Sequence, residues 1–218
     1  MKSYQEQLIE RAIQRQVLVF GQFTLKSGRQ SPYFFNSGLF DSGADLALLG
    51  HCYATALIES GIAFDQLFGS AYKGIPLVSA TAIALQQQYQ RSVPYSFNRK
   101  EPKDHGEKGQ LVGRPLAGQV VFIDDVISAG TAVHEAMPLI SAEGATVSAI
   151  IIAFDRQERG SGTQSALQEI AERYGCPVLS IITLTDLTDY LVTQPALAHN
   201  LPLIHDYQQR YGAPLLPC

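Results

Sequence analysis

The stretch GQVVFIDD (118–125) constrains the fold more than any other, because its apolar residues are consecutive and fall on both faces of a strand. A strand apolar on both faces must be covered on both sides, as the central strands of parallel sheets are. The rest of the chain supplies the cover. In YQEQLIERAIQR (4–15), Tyr4, Leu8, Ile9, Ala12 and Ile13 share one helical face. ADLALLGHCYATALIESG (44–61) predicts a helix that Gly61 terminates, and IPLVSATAIALQQQYQ (75–90) one with Pro76 in its first turn. Further helices are expected in TAVHEAMPLISAEG (131–144) and QSALQEIAERYG (164–175), with two or three short ones near the end. Between them lie strand patterns in DQLFGSAYKG (65–74), VPYSFN (93–98), TVSAIIIAFD (146–155) and PVLSIITL (177–184). VLVFGQFTLKSGRQSPYFFNSG (17–38) reads as a hairpin or hood. Strands separated by helices imply a parallel sheet with right-handed crossovers, whose ligands sit beyond the carboxyl ends of the strands.

At 218 residues the chain has material for one substantial core. A charged fraction of 17% against 46% apolar suits a compact soluble domain, not a disordered one. The net charge of -4, without a basic tail, argues against bulk attraction to nucleic acid or membrane. No apolar run approaches about 18 residues, and MKSYQEQLIERAIQ is too polar for a signal peptide. Cys52, Cys176 and Cys218 are odd in number and far apart, which fits a reducing cytoplasm. His51, His134, His199 and His205 lack metal spacing, Cys52 and Cys176 read as small buried residues, and YGAPLLPC (211–218) as a loosely held tail.

Asp124 and Asp125 end the central strand, and Ser128 to Thr131 form the turn into the next helix. Backbone N–H groups of such a turn converge on one concavity, where the helix dipole favours a phosphate. Carboxylates beside an anion cradle repel what the cradle attracts, unless the ligand carries both a phosphate and hydroxyl groups. A capping role for one carboxylate stays open on these residues alone. GSAYKG (69–74) is a second strand-to-helix turn, with Lys73 adding charge. From Arg99 to Arg114 the chain shows no apolar periodicity: Arg99, Lys100, Lys103, Lys108 and Arg114 stand against Glu101, Asp104 and Glu107, around His105. A solvated loop and a lid that closes over a polyanion both fit that pattern.

VVFIDDVISAGTA (120–132) resembles the phosphoribosyl pyrophosphate (PRPP) signature of the type I phosphoribosyltransferases. FTLKSGRQSPYFFNSG, GSAYKGIPL, FNRKEPKDHGEKGQLVG and FDRQERG together resemble the bacterial orotate phosphoribosyltransferases, over most of the chain to about Ile182. The resemblance implies an α/β fold: a central, mainly parallel sheet flanked by helices, with a small N-terminal hood and a flexible catalytic loop. It implies a single domain over 1–218, the hood coming mainly from about 1–40. The reaction it implies moves the 5-phosphoribosyl group from PRPP to orotate, giving orotidine 5′-monophosphate and pyrophosphate for pyrimidine synthesis.

In that family the positions of Lys26, Tyr72, Lys73, Arg99, Lys100, Lys103 and His105 meet PRPP. So does the run Asp124, Asp125, Val126, Ile127, Ser128, Ala129, Gly130, Thr131 and Ala132. Lys26, Lys103, His105, Asp124 and Asp125 stand nearest the chemistry. Phe34, Phe35, Ser128 and Arg156 are placed by the resemblance at orotate, although packing alone would put the two phenylalanines in the core. Mg²⁺ enters mainly on PRPP and pyrophosphate, not through a protein cage. A homodimer sharing the lid across its interface is implied, as is a non-proline cis peptide in the GSAYKG turn. Lys108 stands where relatives often have glycine, and Ser128 where they often have threonine. A purine phosphoribosyltransferase would not need Arg156 or the phenylalanine pair. A non-catalytic PRPP-sensing regulator would usually carry a DNA-binding domain.

Overall fold

The computed structural model describes residues 1–103, 109–128, 130–160 and 162–214, with the side chains of Pro102 and Lys103 left aside. Helix α1 (Ser3–Gln14) leads into an antiparallel hairpin of β1 (Leu18–Thr24) and β2 (Gln30–Phe35). A 3-10 turn at Ser37–Leu39 precedes α2 (Gly43–Ser60), which ends at Gly61 as its sequence predicts. There follow β3 (Gln66–Gly69), α3 (Gly74–Tyr89), β4 (Tyr95–Lys103), β5 (Gly109–Gly113) and β6 (Gln119–Ile123). The chain continues through α4 (Thr131–Ala142), β7 (Thr146–Asp155), α5 (Ala166–Tyr174) and β8 (Val178–Thr183) to α6 (Leu184–Val192) and α7 (Leu201–Tyr211).

The larger sheet has the order β5-β4-β3-β6-β7-β8, parallel throughout except for the antiparallel edge pair β4–β5. The chain fills one side of β3 first and then crosses to β6 on the other. This reversal of direction opens a crevice at the carboxyl ends of β3 and β6.

Two cores explain the doubly apolar central strands. Val121 and Ile123 of β6, with Ala149, Ile151 and Ala153 of β7, pack into a core shared with α1, α2, α3, α6 and α7. The alternate residues Val120, Phe122, Ile150 and Ile152 pack on the opposite face against α4 and α5. A one-residue slip would exchange the two sets, so the register is fixed by two differently shaped layers. Among the described residues no helix is long and apolar enough to cross a membrane.

Two expectations need correction. The polar stretch from Arg99 to Arg114 is not one irregular loop: β4 runs to Lys103, and β5 pairs back on it, with Phe97 opposite Val112 and Asn98 opposite Leu111. An edge hairpin is held by backbone hydrogen bonds, which need no apolar alternation, so charged side chains hide it from a pattern search. The start of the supposed loose tail is also tied down. Ala213 donates to the carbonyl of Gln157 at 2.8 Å, and Gly212 bridges Glu158. Residues 215–218 lie outside the described residues.

Candidate active site

The crevice between β3 and β6 is a cavity of about 440 Å³. The turn after β3 supplies Ser70, Ala71, Tyr72 and Lys73, and the turn after β6 supplies Asp124 to Ser128, with Gly130, Thr131 and Ala132 at the start of α4. Gly69 and Gly74 let these turns approach. A Cβ on Gly69 would lie 2.3 Å from the carbonyl oxygen of Gly74, and one on Gly74 would lie 2.9 Å from that of Ile123. The Ala71–Tyr72 peptide is cis, as the family resemblance implies. The buried Asn98 of β4 accepts a hydrogen bond from the Ala71 N–H at 2.9 Å, so the turn is held from the strand behind it.

Asp124 and Asp125 are each only 6% exposed, and their environments differ. The Asp124 carboxylate accepts from the Asp125 N–H at 2.9 Å and from the Ser70 hydroxyl at 3.2 Å. Its backbone carbonyl accepts from the buried Tyr53 hydroxyl at 2.7 Å. Burial, and then the neighbouring charge of Asp125, pushes the Asp124 carboxyl up to about 7. Asp125 accepts instead from Lys73 Nζ at 2.7 Å and from the Ser37 hydroxyl. The first turn of α4 carries no acidic residue and opens toward the cavity through Thr131 and Ala132, leaving its N–H groups and dipole facing it.

The structure therefore brings Lys26, Tyr72, Lys73, Lys100, Asp124, Asp125, Val126, Ile127, Ser128, Gly130, Thr131 and Ala132 to one cavity. Lys26 reaches it from the β1–β2 turn, and Lys100 also pairs with Glu135 at 3.4 Å. Other expected residues stand apart from this lining. Arg99 donates to the carbonyl of Gly109 at 3.2 Å across the hairpin. The Phe35 ring packs on Phe154 in the core, whereas Phe34 is 40% exposed beside Phe23. Arg156 follows β7 and contacts Glu158, Ser31 and Tyr33. The Lys103 side chain, His105 and Ala129 lie outside the described residues. Tyr53 escaped the sequence reading, because a helical tyrosine carries no motif, while Ser37 and Asn98 sat inside the resemblance motifs without a role being assigned to them. Ser70 sat inside a motif without being singled out.

This fold, with two turns meeting where the order of its sheet reverses, is that of the type I phosphoribosyltransferases. No family model matches the chain. It is similar to the orotate phosphoribosyltransferase of Cronobacter sakazakii, 59% identical over 97% of this chain and 100% of that protein. Its counterpart in Edwardsiella ictaluri is 60% identical over the same shares. A solved orotate phosphoribosyltransferase from Francisella tularensis superposes with a TM-score of 0.86 at 40% identity, covering 95% of this chain and 100% of that one. The chain belongs to the orotate phosphoribosyltransferase family, whose members are pentosyltransferases of pyrimidine biosynthesis.

Proposed function

We propose that the crevice between β3 and β6 is where this chain transfers the phosphoribosyl group from PRPP to orotate, yielding orotidine 5′-monophosphate and pyrophosphate. The observation that carries the reading is the buried Asp124–Asp125 pair beside Lys73 and the α4 N-terminus. A ligand suits this site when one molecule bears phosphate for the turn and hydroxyls for the carboxylates.

In this reading the turn from Val126 to Ala132 takes the 5′-phosphate, and Asp124 and Asp125 accept from the ribose hydroxyls. Tyr72 and Lys73 face the pyrophosphate, together with Lys26, Arg99, Lys100, Lys103 and His105. As the bond at C1′ lengthens, positive charge grows on the ribose and negative charge on the leaving group. The carboxylates favour the first and the cations the second. Orotate lies under the hood near Phe34, Phe35 and Ser128, with Arg156 donating to its carboxylate. A closed β4–β5 hairpin excludes water, which would otherwise attack C1′.

Asp124 and Asp125 are hard oxygen donors at the cavity wall, so the site fits Mg²⁺ carried in on PRPP. Bound there, the ion would neutralise charge on the departing pyrophosphate. The reading includes one domain over 1–218 and a homodimer that shares the hairpin tip across its interface. It also includes a cytoplasmic setting, which the unpaired Cys52 and Cys176 favour.

The test follows orotate absorbance with PRPP and Mg²⁺ present. Loss of orotate dependent on all three, and abolished by Asp124→Asn with Asp125→Asn, is the expected outcome. Turnover of adenine or guanine in place of orotate would point to a purine enzyme. PRPP binding without any turnover would point to a sensor.

A further inference from the structure

Around Arg156 the contacts are denser than a ligand-binding arginine requires. Glu158 Oε1 accepts from Arg156 Nε at 2.7 Å and from its Nη2 at 2.5 Å. The same Nη2 donates to the buried Ser31 hydroxyl at 3.0 Å, and the guanidinium carbon lies 4.3 Å from the Tyr33 ring centroid. The other Glu158 oxygen faces Arg29 Nη1 at 3.3 Å. Arg29 also donates to the Arg159 carbonyl at 3.0 Å and stacks 5.0 Å from the Tyr211 ring of α7. The side chains of Arg156 and Glu158 are 19% and 15% exposed. The backbone here is clamped as well: Glu158 bridges Gly212, and Arg159 N–H donates to the Tyr211 carbonyl at 2.8 Å.

We infer that Glu158 is a positioning residue for orotate: it fixes the guanidinium of Arg156 at the angle from which Arg156 meets the substrate carboxylate. This rests on the proposed role of Arg156 itself. A free arginine spreads over many rotamers and loses side-chain entropy when a ligand orders it. Glu158 holds the Nε–Nη2 edge and Ser31 also accepts from Nη2, so the ordering of this side chain is met on folding. The clamp also gives α7 and the segment after it a part in orotate binding, although none of their described residues lines the cavity.

The experiment is a double-mutant cycle on Glu158 and Arg156, with KM for orotate, KM for PRPP and kcat read for each protein. Glu158→Ala is expected to raise orotate KM about tenfold, leaving PRPP KM and kcat at saturating orotate within about twofold. Glu158→Gln keeps an acceptor in place and should recover orotate KM to within about threefold of the parent. In an Arg156→Ala background, Glu158→Ala should add nothing to the loss. Unchanged orotate KM in Glu158→Ala overturns the inference. So does a rise in both KM values alike, or a full additional loss in the Arg156→Ala background. If Arg156→Ala alone weakens PRPP as much as orotate, the reading of Arg156 fails, and that outcome is separable from failure of Glu158. Should Glu158→Ala not fold, Glu158→Asp is too short to reach the guanidinium and runs the same cycle, with about a fivefold rise in orotate KM expected.

Discussion

At Asp124 the fold moves a carboxyl's titration to near neutral pH. Its ordinary value is 3.8, and burial and the Asp125 charge push it up to about 7. Between those values the folded chain holds a proton that the unfolded chain has released. Stability is therefore fully present below about pH 4, falls as pH rises toward 7, and levels off above. Urea midpoints at pH 5 and pH 8 should show this fall, and Asp124→Asn should reduce it. PRPP affinity should run the other way, rising through about pH 7 as the carboxylate becomes the acceptor that ribose hydroxyls need. Titrations of PRPP between pH 6 and 8 check it. Arg156→Ala tests the far end of the site. Loss of a charged partner in a half-buried setting should weaken orotate by roughly 2–4 kcal/mol and PRPP by far less. Equilibrium binding of each substrate separates the two, and equal weakening would count against the assignment.

Among the elements, the β3–α3 turn is the least tolerant of change. Gly74→Ala places a Cβ 2.9 Å from the Ile123 carbonyl oxygen and from the Gly69 carbonyl carbon, backbone atoms that cannot rotate away. The variant is expected to lose most activity and several degrees of melting temperature, read by enzyme assay and circular dichroism. The β4–β5 hairpin carries the other element-scale prediction. Lys103→Ala should lower kcat strongly while changing PRPP affinity less, because contacts to a leaving group strengthen as it departs. A pre-steady-state burst assay with direct PRPP titration distinguishes these effects. The hairpin also marks where sequence reading stopped. The helix–strand alternation and the PRPP turn were legible because apolar period and small-residue turns both leave local patterns. The strand character of Arg99–Lys103 was not, because edge pairing is made by backbone groups that every residue possesses. Ser37 and Asn98 stayed hidden for a related reason. Each acts on a residue distant in the chain, Asp125 or Ala71, and only the folded topology creates the pair.

For the whole molecule, the proposed homodimer with a lid shared across its interface predicts complementation. Lys103→Ala and the Asp124→Asn, Asp125→Asn double variant should each be inactive, yet a mixed dimer would hold one intact site and one doubly damaged site. Random exchange makes about half of the dimers mixed, so about a quarter of all sites should recover. Differentially tagged subunits report the exchange. Confirmed exchange with no recovered activity would show that each hairpin serves its own subunit, while leaving the reaction untouched.

The Lys73–Asp125 contact bears on how the free protein looks to an approaching polyanion. A lysine already matched by a carboxylate at 2.7 Å contributes little to the field beyond the cavity mouth. On the proposed function, capture of PRPP is an exchange of partners: phosphate oxygens replace Asp125 on the ammonium, and hydroxyls replace the ammonium on Asp125. Inorganic phosphate can make only the first substitution and ribose only the second, so each strands one charge that the complete ligand satisfies. The association rate should consequently depend on ionic strength less steeply than the count of lysines around the cavity suggests, and Asp125→Asn should steepen that dependence.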